Sequence, residues 1–136
     1  WLRPRTVDDL GLTETLTGLF FTNKLRQHQI EYVTNIEGDV DSLNDGLQIA
    51  IFRIVQECVK NVIQHSDSKI CELHISISLE AVEMHFYDKG KGLPDEILTR
   101  PFKGGLFNAQ SYILALGGTM EVSNQNGAHM HVHFPL

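Results

Sequence analysis

Two runs of strict alternation, set almost end to end, limit what this chain can fold into. In 72–79, Leu73, Ile75, Ile77 and Leu79 share one side, and in 82–87 Val82, Met84 and Phe86 do. A period of two with one apolar side describes a half-buried strand. Glu80-Ala81 leaves room only for a tight hairpin, although these are not the residues such turns favour. An antiparallel pair with one apolar face needs a cover, and the rest of the chain supplies it at helical spacing.

Phe52, Val55, Val59 and Val62 recur on one face of a helix predicted over roughly 44–65, which Ser42 or Asn44 can cap. Before it, Pro4 and Gly11 break a leading segment, residues 1–11. Thr13 is a suitable N-cap for a helix that carries Leu12, Leu16, Leu19 and Phe20 and runs to about Gln27. A short strand, Glu31 to Ile36, and a polar loop through Gly38, Asp39 and Asp41 follow. Beyond the hairpin a glycine- and proline-bearing loop covers 89–104, and a third helix over about 106–116 stops at Gly117-Gly118. Asn126-Gly127 joins strands predicted at 119–124 and 128–134 and is a strong hairpin signal. This order predicts a two-layer α/β sandwich, with helices on one face of a mixed, mostly antiparallel sheet.

A chain of 136 residues suits one domain with a real core. Its formal net charge of -6 argues against non-specific nucleic-acid binding, so a polyphosphate ligand needs local help from metal, backbone amides or a few cations. Cys58, on a helix, and Cys71, at a strand start, read as buried thiols of a reducing compartment. No segment is long and apolar enough to span a membrane. The chain opens on Trp1-Leu2-Arg3-Pro4 without a Met and reads as a piece of a longer protein.

Asp88 is in phase with Val82, Met84 and Phe86, so it leaves its strand on the covered side, where a carboxylate needs donors. A purine amino group is one such donor; capping the following turn is the plainer role. Gly90 and Gly92 permit positive φ and a close approach of backbone to ligand. Glu57, Asn61 and His65 stand one turn apart along the second helix. Asn61 offers an oxygen to Mg²⁺ and Glu57 can hold the ion or one of its waters; a solvated helix face is the alternative. Phe102-Lys103-Gly104-Gly105-Leu106 opens the third helix, whose free amides can bind phosphate, with Lys103 a possible cation. His129, His131 and His133 alternate with apolar residues; their row reads as the solvent side of a strand rather than a metal site, because the opposite face is apolar. Ala128 is in phase with that inward face, and His28, His74 and His85 read as surface residues.

Glu57-x-x-x-Asn61-x-x-x-His65, Asp88-x-Gly90-x-Gly92, Gly105-Leu106 and Leu116-Gly117-Gly118 together resemble the ATP-binding domain of sensor histidine kinases. That domain belongs to the wider Bergerat-fold ATPase group shared with gyrase, Hsp90 and MutL. Leu2-Arg3-Pro4, Asp8-Asp9-Leu10-Gly11-Leu12 and the short loop between Gly92 and Gly104 are similar to the NarX/UhpB/DesK-like subfamily, of the UhpB type. The resemblance implies that residues 1–11 end a dimerisation and phosphoacceptor region and that 12–136 form the catalytic domain. It implies that Asn61 coordinates Mg²⁺ with support from Glu57, that Asp88 takes the adenine amino group, that Gly90 and Gly92 shape the base pocket, and that Gly104 and Gly105 close on the phosphates. The implied reaction is transfer of the ATP γ-phosphoryl group to a histidine on upstream helices, then to a response regulator. It further implies a homodimer when full length, a monomer as this piece, and a cytoplasmic domain of a bacterial inner-membrane sensor.

Several positions depart from the pattern. Gln64 stands where Lys is frequent, Lys103-Gly104-Gly105-Leu106 displaces the first lid glycine, Asn108 and Tyr112 replace Gly and Arg, and Ala128 replaces Thr. They motivate an alternative, a degenerate nucleotide-sensing or protein-interaction module on the same fold. An ATPase or a serine-directed anti-sigma kinase of the same superfamily is a third reading, opposed by residues 2–12.

Overall fold

The structure, a computed structural model, describes residues 2–96 and 104–136. The helix expected from Thr13 to Gln27 is instead broken, and the leading segment is itself helical: α1 (Arg5–Leu10), α2 (Leu12–Thr17) and α3 (Leu19–Arg26). Gly11, at φ 80 and ψ 162, turns the chain between the first two in a conformation that L side chains avoid. Thr13 does not cap α2. Asp41, from the loop before the long helix, does so from a distance: its Oδ1 accepts from the N–H of Leu12 at 2.7 Å and of Thr13 at 3.1 Å. Partial burial pushes the Asp41 carboxyl up, but the bonds from Thr13 and Leu12 and the charge of Arg3 outweigh it and hold it below its ordinary range. The second break, at Gly18, turns Leu19 away from the face of Leu12 and Leu16; it is 65% exposed, and Phe21 and Leu25 are buried in its stead. Val7 of α1 joins the common core, and Arg3 pairs with Asp8 at 2.5 Å and Asp45 at 2.8 Å.

Strand β1 (Glu31–Glu37) leads to the long helix α4 (Asp45–His65). Asn44 caps α4, its side chain accepting from the N–H of Leu47 at 2.9 Å, as its sequence position predicts. Then come β2 (Ile70–Ile77), β3 (Ala81–Asp88), α5 (Gly104–Ala115), β4 (Thr119–Asn124) and β5 (Ala128–Pro135). The turn between β2 and β3 is one step earlier than expected. Ser78 takes the first corner, its Oγ accepting from the N–H of Glu80 and Ala81, and Leu79 at the tip is 99% exposed. The amides of Gly117 and Gly118 close the end of α5 on the carbonyls of Leu114 and Ile113.

The sheet order is β1-β2-β3-β5-β4. Only β1 and β2 run parallel, with α4 in the crossover between them; the other pairs are antiparallel. Val55, Val59 and Val62 of α4 and Ile113 of α5 share one core with Leu73, Ile75, Val82, Met84, Phe86, Val132 and Phe134 of the sheet. The architecture is the expected two-layer α/β sandwich, with helices on one face and the other face open.

Candidate functional site

A cavity of about 550 Å³ opens between the C-terminal half of α4, the start of α5 and the ends of β3 and β5. Asn61, His65, Asp88, Gly92, Gly104, Gly105 and Leu106, all singled out in the sequence, line it. Its floor is apolar, from Phe86, Val122, Met130 and Cys58. Burial pushes the Cys58 thiol far up, so it stays neutral beside Met130, with sulfur atoms 3.7 Å apart. The Cys71 thiol is pushed up to about 12, burial being the main cause. A flat heterocycle fits such a floor if a polar edge is met at the rim.

Asp88 is that polar group. Its Oδ1 accepts from the N–H of Gly90 at 2.9 Å and of Ala128 at 3.1 Å. Both bonds fall on Oδ1, so Oδ2 keeps its accepting capacity for a ligand N–H. The bond to Gly90 is the turn-capping role foreseen for a strand-end Asp; the bond to Ala128 reaches 40 residues along the chain.

The loop after β3 is pinned from two sides. Ser68 Oγ accepts from the N–H of Lys89 and Asp67 Oδ1 from that of Lys91, each at 2.9 Å. Asn124 on β4 holds Leu93 through both backbone groups, at 2.8 and 2.9 Å. These contacts explain the glycines differently from one another. Gly92 sits at φ +80, whereas Gly90 is required for space: a Cβ there would lie 2.3 Å from Ser66 Oγ.

Glu57 is half-buried on α4, one turn before Asn61. Its Oε2 is buried with no hydrogen-bond partner among the described residues, and a Cβ on Gly105 would come within 2.2 Å of it. Gly105 therefore lets α5 begin directly against this carboxylate, which stands behind the cavity wall rather than on it. Gly104 is at φ +59 with open space around it. Lys103 lies outside the described residues.

Sequence reasoning missed Lys91, an exposed residue that lines the cavity, and the clamp by Asn124. Nothing local marks Asn124, because its partner is 31 residues away. Gln64, where a cation was expected, also lines the cavity.

Residues 46–136 match the family described as histidine kinase-, DNA gyrase B- and HSP90-like ATPase. The chain belongs to this ATPase family. Among its relatives, the signal transduction histidine-protein kinase/phosphatase UhpB of Salmonella typhimurium is 29% identical over 136 residues, 98% of this chain and 26% of that protein. The sensor histidine kinase LiaS of Bacillus subtilis is 30% identical over 129 residues, 93% of this chain and 34% of that protein. The chain thus spans about a quarter to a third of the length of these curated relatives. The histidine kinase domain of the Erythrobacter litoralis EL346 blue-light activated histidine kinase has the same fold, with TM-score 0.75 at 20% identity over 93% of this chain and 59% of that one. The nucleotide-free catalytic domain of the histidine kinase ThkA does too, with TM-score 0.71 at 18% identity over 95% of this chain and 91% of that one.

Proposed function

We propose that this chain is the ATP-binding catalytic domain of a sensor histidine kinase, and that it passes the ATP γ-phosphoryl group to a histidine outside residues 1–136. The observation that carries the reading is the anchored Asp88 at the rim of an apolar cavity. Two N–H donors fix one oxygen, which aims the other at an amino group such as that of adenine. Cys58, Phe86 and Met130 supply the apolar surface for the ring.

The residues present fit Mg²⁺. The unpartnered Glu57 Oε2 and the Asn61 side chain, one turn apart, are hard oxygen donors of the kind that ion takes, directly or through its waters. Bound there, the ion would neutralise charge on the phosphates. The protein's own part is positional. Asp88 fixes the base, Gly92 and the Asn124 clamp hold the loop against it, and Lys91 brings a cation to the phosphate side. Gly104, Gly105 and Leu106 bring the N-terminal amides of α5 to the same cavity. Lys103 is a further candidate for phosphate contact. His65, at the exposed end of α4, borders the cavity and is proposed to contact the nucleotide.

In this reading residues 1–11 lead from phosphoacceptor helices of the longer protein. That protein would act as a dimer and pass the phosphoryl group to a response regulator. The domain would lie on the cytoplasmic side of a membrane sensor; no described helix is itself long and apolar enough to cross a membrane. Gln64 favours a second reading, a nucleotide sensor without transfer, because it puts a neutral amide on the cavity wall. The full-length protein, incubated with Mg²⁺ and γ-labelled ATP, decides between the two. The kinase reading predicts label that is stable to base and labile to acid, as phosphohistidine is, and lost in Asp88→Asn. Bound ATP without label would favour the sensor, and absence of ATP binding would refute both.

A further inference from the structure

Five of the seven histidines, His74, His85, His129, His131 and His133, stand on the open face of the sheet. Tyr87 lies flat on His129 and His85 on His131, each with ring centroids 4.3 Å apart. This cover leaves His129 only 9% exposed. The histidines differ in where their hydrogens go. Oε2 of Glu83 accepts from Nε2 of His131 at 2.5 Å and its Oε1 bonds Nδ1 of His133, so a carboxylate serves both rings. His74 Nε2 lies 3.3 Å from Oε2 of Glu72. His85 and His129 instead bond each other, Nδ1 to Nε2, at 2.9 Å.

One hydrogen fills that gap, so one ring donates and the other accepts. A first added proton can be shared between them. A second cannot: with both rings charged every ring nitrogen carries a hydrogen, two N–H groups face each other across 2.9 Å, and the rings must part. The surrounding charges do not relieve this. His131 is stacked on His85, and His74 lies opposite it on β2. Glu83 draws a proton toward His85 but already bonds His131 and His133, Glu72 is beside His74, and Glu121 stands opposite His131. Tyr87 and Ser123 flank His129 with a ring and a hydroxyl. Burial first, then His131 and His129, hold the His85 imidazole below its ordinary range; burial and then His131 do the same for His129. The pair's contribution to folding is therefore whole above about pH 6.5 and is lost as the pH falls toward the lower folded values.

The pair lies directly behind the base anchor. Tyr87 opposite His129 is the last rung of the β3–β5 ladder. The next residues along are Asp88 and Ala128, joined by the bond from the Ala128 N–H to Asp88 Oδ1 at 3.1 Å. Ala128, His129 and Met130 all line the nucleotide cavity. On its other edge β3 is held by β2 as far as Asp88, opposite Cys71, so repulsion at His129 moves β5. We propose that the His85–His129 pair is a proton-operated latch on the Asp88 anchor: on acidification a second proton parts the rings, frees the Ala128 amide from Asp88 and weakens nucleotide binding. Both protons come from solvent, and none passes to the ligand. The last step rests on the reading that the cavity takes ATP; the opening of the latch does not.

The test is hydrogen exchange of the Ala128 amide, followed by nuclear magnetic resonance between about pH 7.5 and 5.5 and expressed as protection relative to a free peptide. A ring of ordinary pKa about 6.5 that the closed latch bars from protonation favours the open state by about tenfold at pH 5.5, and protection should fall by about that much. In His85→Asn the side-chain amide stands where Nδ1 does and can turn to accept from a charged His129, so protection should fall by less than about twofold. His28→Asn, remote from the pair, should behave as the parent does. Calorimetry with Mg²⁺ and ATP at the same two pH values should show a loss of affinity up to about tenfold greater in the parent than in His85→Asn, a comparison in which the titration of ATP itself cancels. Constant Ala128 protection in the parent chain would overturn the proposal with no variant needed. So would an equal fall in His85→Asn, or ATP binding whose pH dependence is the same in both. If the amide responds but ATP binds at neither pH, the nucleotide reading fails and the latch stands.

Discussion

Replacing Gly127 with alanine should damage stability and the nucleotide pocket together. Gly127 is buried at φ +131, and an added Cβ would lie 2.1 Å from the carbonyl oxygen of Asp88, 2.7 Å from its carbonyl carbon and 2.8 Å from Lys89 Cα. All three are backbone atoms, so no side-chain rotation relieves the clash. Backbone strain at such a φ costs about 1–3 kcal/mol and the forced displacement about 1–3 kcal/mol more. The shift also pulls the Ala128 N–H from Asp88 Oδ1, a bond to a charged group worth about 1.5–3 kcal/mol. Relief by movement makes these terms overlap, and about 3–6 kcal/mol is expected, a large share of a typical domain's 5–15 kcal/mol or so. Gly117→Ala is the matched control. It too has positive φ, +74, but its Cβ meets only Pro135 Cγ at 3.9 Å, so the cost is about 1–2 kcal/mol. The gain from a stiffer unfolded chain is common to both and cancels. Urea unfolding of the two variants gives the difference, and binding of an ATP analogue under native conditions should be weaker in Gly127→Ala alone. If Gly127→Ala is no less stable than Gly117→Ala and binds normally, the reasoning that ties the β4–β5 hairpin to Asp88 is wrong.

Other substitutions separate the remaining parts. Asp41→Ala removes a cap supplied across 29 residues and should cost about 1 kcal/mol in urea unfolding at neutral pH. The folded Asp41 carboxyl is held below its ordinary value, so its contribution is present above the unfolded pKa and is lost as pH falls through the lower folded one. The variant's deficit should therefore shrink below about pH 4, and a deficit constant down to pH 2 would contradict the cap. Glu57→Gln should weaken ATP binding by about tenfold in Mg²⁺ and leave binding in excess chelator unchanged by calorimetry. Lys91→Met should weaken ATP binding while leaving adenosine binding within about twofold, because the ammonium serves only the phosphates.

The regular elements were legible because their signals are local. Asn44 and the apolar stripe of α4 announce a capped helix, the alternation of β2 and β3 announces their inward face, and Asn126-Gly127 announces the last hairpin. Gly11 was legible as a breaker, but the helix α1 before it and the break at Gly18 were not, since the spacing of Leu12, Leu16 and Leu19 fits an unbroken helix, and Asp41, the group that caps α2, is distant in sequence. The site divides the same way. Asp88, Asn61, Gly92, Gly104 and Gly105 stood out by type and spacing and line one cavity, whereas the Ala128 amide, the Asn124 clamp and the approach of Gly105 to Glu57 exist only once β3, β5 and the two helices are in register. His129 was placed on the solvent side of its strand, yet it is nearly buried at 9% exposure, because Tyr87 and His85 from the neighbouring strand cover it.

The central claim is that Asp88 anchors a nucleotide base in an Mg²⁺-assisted ATP site. Calorimetric titration of the chain with ATP, with and without Mg²⁺, alongside Asp88→Asn, tests it most directly. The account predicts saturable one-to-one binding that Mg²⁺ strengthens and that Asp88→Asn weakens by about 10- to 100-fold, the worth of a hydrogen bond to a charged group. Equal affinity in the variant, or no binding at millimolar ATP in the parent chain, would contradict it.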